Sequence, residues 1–533
     1  MAITKDFGQA LCLFMGFTTI YIVSNITYNL FFHPLRHFPG PLAMRATQVT
    51  KCYRLWRGTA PFDMLELHRR YGDVVRIAPD ELAFANPSAW KEIMGHRTAG
   101  GVSGNKAPPE FEKSDKFYRP FGFGGLPRDI ITASGPEHAM LRRQLSHGFS
   151  DRSLKEQEPV IMRYVDLFIQ RMWKATKDRR GHGQGNGDET AAGEKGSQSG
   201  PEQEQPVDLT LWYNYFTFDI IGDLAFGESF GCLESETMHP WVRTIFRTVR
   251  VGVALQIANH FSVLRRLMAV MVSTRVVRDR LLQHYEKTMQ KLIRRIEWGE
   301  REGPRADLME GLLRKRKEWN LSLEQLNGNA SIVIIAGSET TATLLSGATF
   351  LLLKNPEKMR KLVREVRAAF RREEEINLTS VNSLTYMLAC LDEALRMYPA
   401  IPTGLPRAVP EGGATVSGEF IPENTTVAIY HWAMYHNEEN FKNPFEFHPE
   451  RFLGDPEYAS DRREAFQPFH LGPRNCLGKN LAYVEMRIIL ARLLWNFDLA
   501  LAEDSEEWME TQKIYTLWEK GPLNVYLRPA VRG

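Results

Sequence analysis

The chain has 533 residues, 43% of them hydrophobic and 25% charged, with a net charge of only +3. Such a composition belongs to a folded globular protein, and the near-neutral charge leaves no footprint for nucleic-acid binding. Five cysteines, Cys12, Cys52, Cys232, Cys390 and Cys476, are odd in number and scattered, without Cys-x-x-Cys or Cys/His spacing. That usage excludes a disulfide scaffold and a zinc module and fits a reducing compartment.

From about Phe7 to Phe32 the residues are largely apolar and uncharged, and a membrane span needs roughly 20 such residues. Asn25 and Asn29 weaken its inner end, and no basic leader or small-x-small site marks a cleaved signal. His33, Arg36, His37, Arg45, Lys51, Arg54 and Arg57 follow, so the positive-inside rule predicts a cytosolic body. Pro34, Pro39, Gly40 and Pro41 predict a stiff, non-helical exit from the membrane. The expected division is an anchor over 1–33 and one catalytic domain over 34–533, since no internal repeat and only one linker-like segment are present.

Val74–Ile77 and Leu82–Ala85, joined by a Pro-Asp turn, predict a hairpin, and Pro87 suits the first turn of a helix. Gly100 to Ser134 is rich in Gly, Pro and aromatic residues without a period, the mark of a binding or lid segment. Helical patterns follow over Glu137–Phe149 and Glu156–Lys177. Residues 176–206 are Gly, Glu, Gln and Ser with almost no large apolar side chain, which predicts a disordered insertion. Long helices are expected from Leu209 to about Glu300, then over Leu323–Lys354, Pro356–Arg372 and Ser383–Tyr398. Ala414–Ile429 alternates like a hairpin with its turn near Pro422 and Asn424, and Lys479–Asn496 closes the series as a helix. The expected class is mainly α with a small β portion.

The chemistry concentrates around Phe469-His-Leu-Gly-Pro-Arg-Asn-Cys-Leu-Gly478. Cys476 is a candidate axial thiolate for haem iron; Gly472 and Gly478 let backbone pass close to a flat macrocycle. Amide N–H groups of a tight loop can hold the sulfur as thiolate, and Arg474 can pair with a propionate. A thiolate ligand pushes electron density onto iron and favours O–O cleavage. Read alone, Cys476 is better taken as a free cysteine in a Gly/Pro-rich loop; the whole ten-residue constellation favours the ligand.

Ala336-Gly-Ser-Glu-Thr-Thr341 interrupts an apolar helix, and buried acids and hydroxyls are costly unless satisfied or used. Glu339 and Thr340 are candidates for binding water and passing protons; a solvated polar face with back-bonded hydroxyls is the plainer alternative. Glu393 and Arg396, three apart, share a helix face. His138 and Arg142 share another, where the neighbouring Arg143 and His147 also allow an ordinary basic surface.

The Cys loop resembles the cytochrome P-450 family pattern Phe-x-x-Gly-x-Arg-x-Cys-x-Gly at every fixed position. Ala336–Thr341 resembles its oxygen-activating helix, Glu393-x-x-Arg396 its Glu-x-x-Arg, and Pro449-Glu-Arg451-Phe supplies the arginine of its three-member network. The resemblance covers nearly the whole chain and implies a P-450 fold holding haem b. It implies that Cys476 ligates iron, that Phe469, Arg474, Gly478, His138, Arg142 and Arg407 surround the cofactor, and that Thr340 and Glu339 serve oxygen activation and proton relay. Glu393, Arg396 and Arg451 fall to the scaffold. The tone of Phe32–Pro41 and Phe466–Pro473 resembles microsomal enzymes of filamentous fungi, many of which oxidise terpenoids, polyketides or alkaloids.

The expected protein is therefore a monooxygenase of the endoplasmic reticulum membrane, single-pass and facing the cytosol. Without a Gly-x-Gly-x-x-Gly or flavin domain, it needs an NADPH-dependent flavoprotein reductase, with Arg142, Arg143, Arg474 and Lys479 as one candidate docking face. Substrate contacts are expected from Val102–Leu126, Met238–Val272, Ala400–Leu405 and Ile514–Gly521, whose side chains suit an apolar small molecule. Desaturation, ring closure or rearrangement at the same haem, and a non-catalytic haem sensor or binding module, are the alternatives. The sensor explains Glu339 and Thr340 poorly, because a binder needs no proton relay.

Overall fold

The computed structural model describes residues 2–97, 109–118, 127–178, 205–273 and 275–531. Residues 98–108, 119–126 and 179–204 lie outside the described residues, and with them that part of the expected substrate segment and most of the stretch expected to be a disordered insertion.

The body is built around one helix, Leu323–Lys354. Ser322 starts it with a capping box: its hydroxyl accepts from the Gln325 amide at 3.2 Å while the Gln325 side chain accepts from the Ser322 amide at 3.1 Å. Apolar residues occupy nearly every face of this helix, which fits an element crossing the core rather than lying on it. Helix Leu209–Phe226 has the same character, is buried almost throughout, and packs along it. Helices Arg275–Glu302, Thr385–Met397 and Lys479–Asn496 complete the packing around the central helix. Composition and length alone would let Leu323–Lys354 cross a membrane, but 72% of its apolar window is buried in protein, which makes it a core helix.

The β portion is small. A five-stranded sheet runs in the order Val74–Ala78, Glu81–Phe84, Thr426–Ile429, Arg407–Ala408, Glu112–Lys113, with a parallel pairing between Glu81–Phe84 and Thr426–Ile429. Val207–Asp208, Asn524–Pro529 and Phe497–Leu501 form a second sheet. Two hairpins, Ala414–Val416 with Glu419–Ile421 and Lys513–Tyr515 with Leu517–Glu519, stand apart.

Several boundaries differ from the sequence expectation. The hairpin expected over Ala414–Ile429 turns at Ser417 and Gly418, both with positive φ (52° and 80°), instead of near Pro422 and Asn424. Two successive left-handed residues make the tight turn that suits strand twist. Pro422 lacks an N–H and ends that ladder, and Thr426–Ile429 leaves for the large sheet, a long-range pairing invisible to local alternation. The element after Pro87 is a single π-helical turn, Trp90–Met94. The stretch expected as helix from Leu209 breaks at Gly227, a left-handed cap with φ 75°.

At the N-terminus, helix Ala2–Thr27 leads into a segment fastened by one fully buried arginine. Arg76 donates to Asn29 O at 2.9 Å and twice to Pro79 O, at 3.1 and 2.7 Å, while its own amide donates to Pro39 O at 2.7 Å.

Candidate active site

The cysteine loop is shaped by what its glycine must avoid. Gly472 has φ 70°, and a Cβ there would fall 2.1 Å from Met94 O, so only glycine fits between the loop and the Trp90–Met94 turn. The Cys476 amide donates to Phe469 O at 2.8 Å and closes the loop, and the Phe469 ring lies 5.2 Å from that of Tyr483. Gly478 behaves differently: its φ is −84°, and a Cβ would meet only Phe149, at an ordinary 3.7 Å. The protein itself therefore leaves room at Gly478. Cys476 is accessible, yet burial pushes its thiol up, opposed first by the Gly478 amide and then by Arg142 and Lys479. Its sulfur thus faces an interior space lined by protein.

Cations gather around that space. The Arg474 side chain is 3% exposed, donates to Ala133 O at 2.6 Å and to Glu112 Oε2 at 3.2 Å, and keeps a buried Nε without a protein partner. Arg407 is buried and its Nε is also unpartnered. Arg142 donates to Asn475 O at 2.8 Å and to the Asn475 side chain. Lys113 is brought down to about 7, first by burial and then by Arg407 and Arg474. His138 is brought to about 3 by burial, then by Arg474, Lys113, Arg142 and Arg407, and is neutral at physiological pH. The neighbouring carboxylates are committed elsewhere: Asp129 accepts from the Ile131 and Thr132 amides of its own turn, and Glu112 is half-exposed against Arg474.

Segment 129–134 joins this region to the central helix. Asn329 Oδ1 accepts from the Ile130 amide at 2.9 Å, and Ala133 O accepts from Arg474. In the helix beyond Asn329, Ala336 is exposed and Gly337 and Thr340 are half-buried among buried neighbours, so this face also looks onto open interior. The Thr340 hydroxyl donates back to Ala336 O at 2.8 Å. The group that approaches Gly337 is Ile221: a Cβ would fall 2.7 Å from its Cδ1. Glu339 points elsewhere and is buried, with Oε1 accepting from Lys520 and, at 3.3 Å, from Thr343, while Oε2 has no protein partner. Burial raises its carboxyl despite Lys520.

Glu393, Arg396 and Arg451 come together in a buried network away from the open space. Arg396 donates to both Glu393 oxygens at 2.8 Å, and Arg451 Nε donates to Glu393 Oε1 at 3.0 Å. Asp461, which sequence reasoning missed, pairs with Arg451. Lys113, Lys520 and Glu485 were missed too. Burial pushes Glu485 up to about 8, and Thr341 donates to it from the central helix. An acid inside the apolar run Leu481–Asn496 was a legible signal; Lys113 sits in a stretch of sequence without a period, and Lys520 beside a Gly-Pro pair gave none.

The candidate docking face needs correction. Arg474 and Arg142 turn inward to the loop and its interior, because their guanidinium groups are the donors that hold it; Arg143 and Lys479 remain exposed. Of the expected substrate segments, residues Thr403 and Gly404 meet Val253 and Gln256 and the hairpin residues Ile514 and Tyr515 around a chamber of about 40 Å³.

An accessible cysteine at the head of a helix, buried arginines each with an unpartnered Nε beside it and an open face on a central helix form the arrangement of a haem-thiolate enzyme. The cytochrome P450 family model matches residues 34–525. Over 509 residues the chain is 44% identical to the cytochrome P450 monooxygenase prhB of Penicillium brasilianum, covering 96% of each. It is 40% identical to the trichothecene C-15 hydroxylase of Fusarium sporotrichioides (97% of this chain, 98% of that one). With the averantin hydroxylase of Dothistroma septosporum it shares 39%, over 98% and 92% of the two chains. The chain belongs to the cytochrome P450 family and is a monooxygenase of it. Membership implies haem, a redox partner, an organic substrate and dioxygen.

Proposed function

We propose that Cys476 would ligate the iron of haem b in a membrane-anchored monooxygenase that oxidises an apolar secondary metabolite of the terpenoid, polyketide or alkaloid kind. The observation that carries the reading is the accessible Cys476 sulfur beside a cluster of buried cations whose Arg407 and Arg474 Nε groups lack protein partners. Two propionates are the complement such a cluster calls for. Arg407, Arg474, His138, Arg142 and Lys113 would hold them, and Phe469 and Gly478 shape the loop that would leave room for the macrocycle. When bound, the haem supplies dioxygen activation and oxygen transfer. The protein orients substrate and excludes water; Thr340 presents a hydroxyl on the open face of the central helix, and Glu339 supplies protons behind it. Glu393, Arg396 and Arg451 keep the haem pocket in shape.

Electrons come from an NADPH-dependent flavoprotein reductase. Relatives named as hydroxylases support hydroxylation as the reaction. The anchor reading rests on helix Ala2–Thr27, where Phe14, Phe17 and Ile20 are 68%, 70% and 64% exposed. Such a row is costly in water and matches a bilayer core. Exposed Val263, Leu264 and Leu267 on helix Ser262–Ser273 add a second apolar contact. The basic residues after the span direct the catalytic domain, residues 34–533, to the cytosolic side of the endoplasmic reticulum.

The test is the carbon monoxide difference spectrum of the reduced protein in membranes, beside Cys476→Ser. A Soret band shifted far to the red in wild type alone is expected. A histidine-type spectrum, or none, overturns the reading.

A further inference from the structure

Three residues of helix Lys479–Asn496 stand four apart: Lys479, Tyr483 and Arg487. That spacing sets them in a row along one helix face. The row touches both the cysteine loop and helix Thr385–Met397.

Two of the three hold the Phe469 ring. It lies 5.2 Å from the Tyr483 ring at an angle of 47°, and the Lys479 ammonium stands 5.9 Å from its centre. Both separations fall in the attractive range for ring pairs and for a cation over a ring. The backbone of the same residue accepts the Cys476 amide at Phe469 O, at 2.8 Å. Whatever fixes Phe469 therefore fixes the carbonyl that closes the loop around the sulfur.

Tyr483 is tied on its other side as well. Its hydroxyl donates to Asp392 Oδ1 at 2.7 Å, and the Arg487 guanidinium lies 5.3 Å from its ring centre. Asp392 is half-buried. Burial pushes its carboxyl up to about 6, opposed first by the Tyr483 hydroxyl and then by Arg487 and Lys479. Glu393, next on the same helix, adds to the push but is committed to Arg396 and Arg451. Arg487 is shared with the Asn382 side chain. Lys479 also favours the thiolate of Cys476, so one cation acts on the cysteine and on the Asp392 carboxyl alike.

We propose that Tyr483 is a positioning residue that joins Asp392 to the Phe469 end of the cysteine loop, so that the charge on Asp392 sets how readily the bound haem takes the reductase's electron. The inference rests on Cys476 being the iron ligand. An added electron makes the surroundings of the loop more negative, and a nearby carboxylate opposes the addition. Below its midpoint Asp392 is neutral and reduction is easier; above it the carboxylate is ionised and reduction is harder. No bond to substrate forms or breaks. One electron arrives from the reductase, and the Asp392 carboxylate answers by taking up part of a proton from solvent.

The test is a potentiometric titration of the full-length, haem-loaded protein without added substrate, as wild type, Asp392→Asn and Tyr483→Phe. Between about pH 5 and about pH 7.5, Asp392 should lower the ferrous-to-ferric ratio at one applied potential about three-fold, the scale of a single charge at an effective dielectric of about 20 or more. For one electron that ratio is ~28 mV. Lys113 titrates over the same range, so the readout is the difference between each variant and wild type. Asp392→Asn should remove this part of the slope and raise the ratio at the higher pH by the same factor. Tyr483→Phe keeps the ring against Phe469 but deletes a hydrogen bond to the ionised carboxylate. Its step should persist with a midpoint about one unit higher. A pair with a structural role only would change melting and haem content and leave slope and midpoint alone. A wild-type slope in Asp392→Asn overturns the proposal. Should that variant fail to take up haem, an unmoved midpoint in Tyr483→Phe overturns it instead. The carbon monoxide spectrum separates the two failures: a thiolate-type band beside unchanged slopes sinks the tuning role alone, whereas its absence from wild type sinks the reading of the site.

Discussion

Replacing Glu393 with glutamine removes one charge from the scaffold network and almost none of its volume. Glu393 and Arg396 have fully buried side chains, and Arg451 and Asp461 are 2% and 1% exposed. Two guanidinium groups and two carboxylates therefore sum to zero charge in a dry interior. In the variant the carboxamide oxygen still accepts from Arg451 Nε and the His448 amide, at the sites now 3.0 and 2.9 Å from Glu393 Oε1. Its NH2 then faces Arg396 Nε, donor against donor, where a 2.8 Å bond stood. Breaking a buried pair from one side costs about 3–5 kcal/mol, a large part of the roughly 5–15 kcal/mol that holds a folded protein. Arg396 would keep Tyr435 O, Pro444 O and Glu446 O at 3.0, 2.6 and 3.2 Å, so the surplus cation stays in place and is not expelled to solvent. The assay is haem content on expression together with chaotrope denaturation followed at the Soret band. Glu393→Gln should express with little haem and unfold far earlier. Adding Arg396→Met restores neutrality, so the double variant should lose less than the sum of the singles. If Glu393→Gln takes up haem normally and lies within about 0.5 kcal/mol of wild type, the range of an ordinary surface change, charge balance is not what holds this network.

Lys113 titrates near 7 in the protein against an ordinary 10.5, so the unloaded fold gains stability as pH rises through that window. A bound dianion restores the charge; haem loading should take up protons and weaken from pH 7 towards 10, a slope that Lys113→Met should flatten in a titration of haem uptake. Gly472→Ala must push a Cβ into Met94 O at 2.1 Å from a left-handed backbone, and it should abolish the red-shifted carbon monoxide band; a normal band would show that the loop yields. Thr340→Ala deletes only a back-bond to Ala336 O, so the spectrum and melting should stay near wild type while more reductant is lost to peroxide; unchanged peroxide yield would remove Thr340 from the relay. Deleting residues 2–27 should shift the protein from carbonate-resistant membranes towards the soluble fraction, and full membrane retention would count against the anchor.

The long helices were legible because period and caps agree within each segment: Leu323–Lys354 and Lys479–Asn496 have the expected bounds, the first set by the Ser322 box. The strand Thr426–Ile429 was not, since its partners at Glu81–Phe84 and Arg407–Ala408 lie far away in the chain and local alternation cannot name them. The site divides in the same way. Cys476, Glu393 and Arg396 sit inside short motifs with fixed spacing, whereas Lys113, Lys520 and Asp461 act through contacts that only the fold creates. Arg142 and Arg474 read in the sequence both as cofactor contacts and as part of a docking face, and the direction of a long side chain, which decides between the two, is a tertiary property.

The Glu393 network and the surroundings of Cys476 supply their arginines differently. Where the fold needs an arginine for shape, it surrounds it: Arg396 has a carboxylate and three carbonyls, and Arg76 has the Asn29 and Pro79 carbonyls. Around Cys476 the same residue type is left short. Arg407 and Arg474 each keep a buried Nε without a protein partner, and after burial, the larger cause, they help depress Lys113 and His138. A water or a bound group commonly completes such an unpartnered donor. With an accessible thiol beside these cations, a group that bound here would bring negative charge to the arginines and take a sulfur ligand, and a metal alone would add to the positive charge. A metalloporphyrin with two propionates meets both demands. Esterifying those propionates should therefore weaken uptake by the wild-type protein far more than by an Arg407→Met, Arg474→Met variant, and equal loss in both would leave the cations without a role in holding the cofactor.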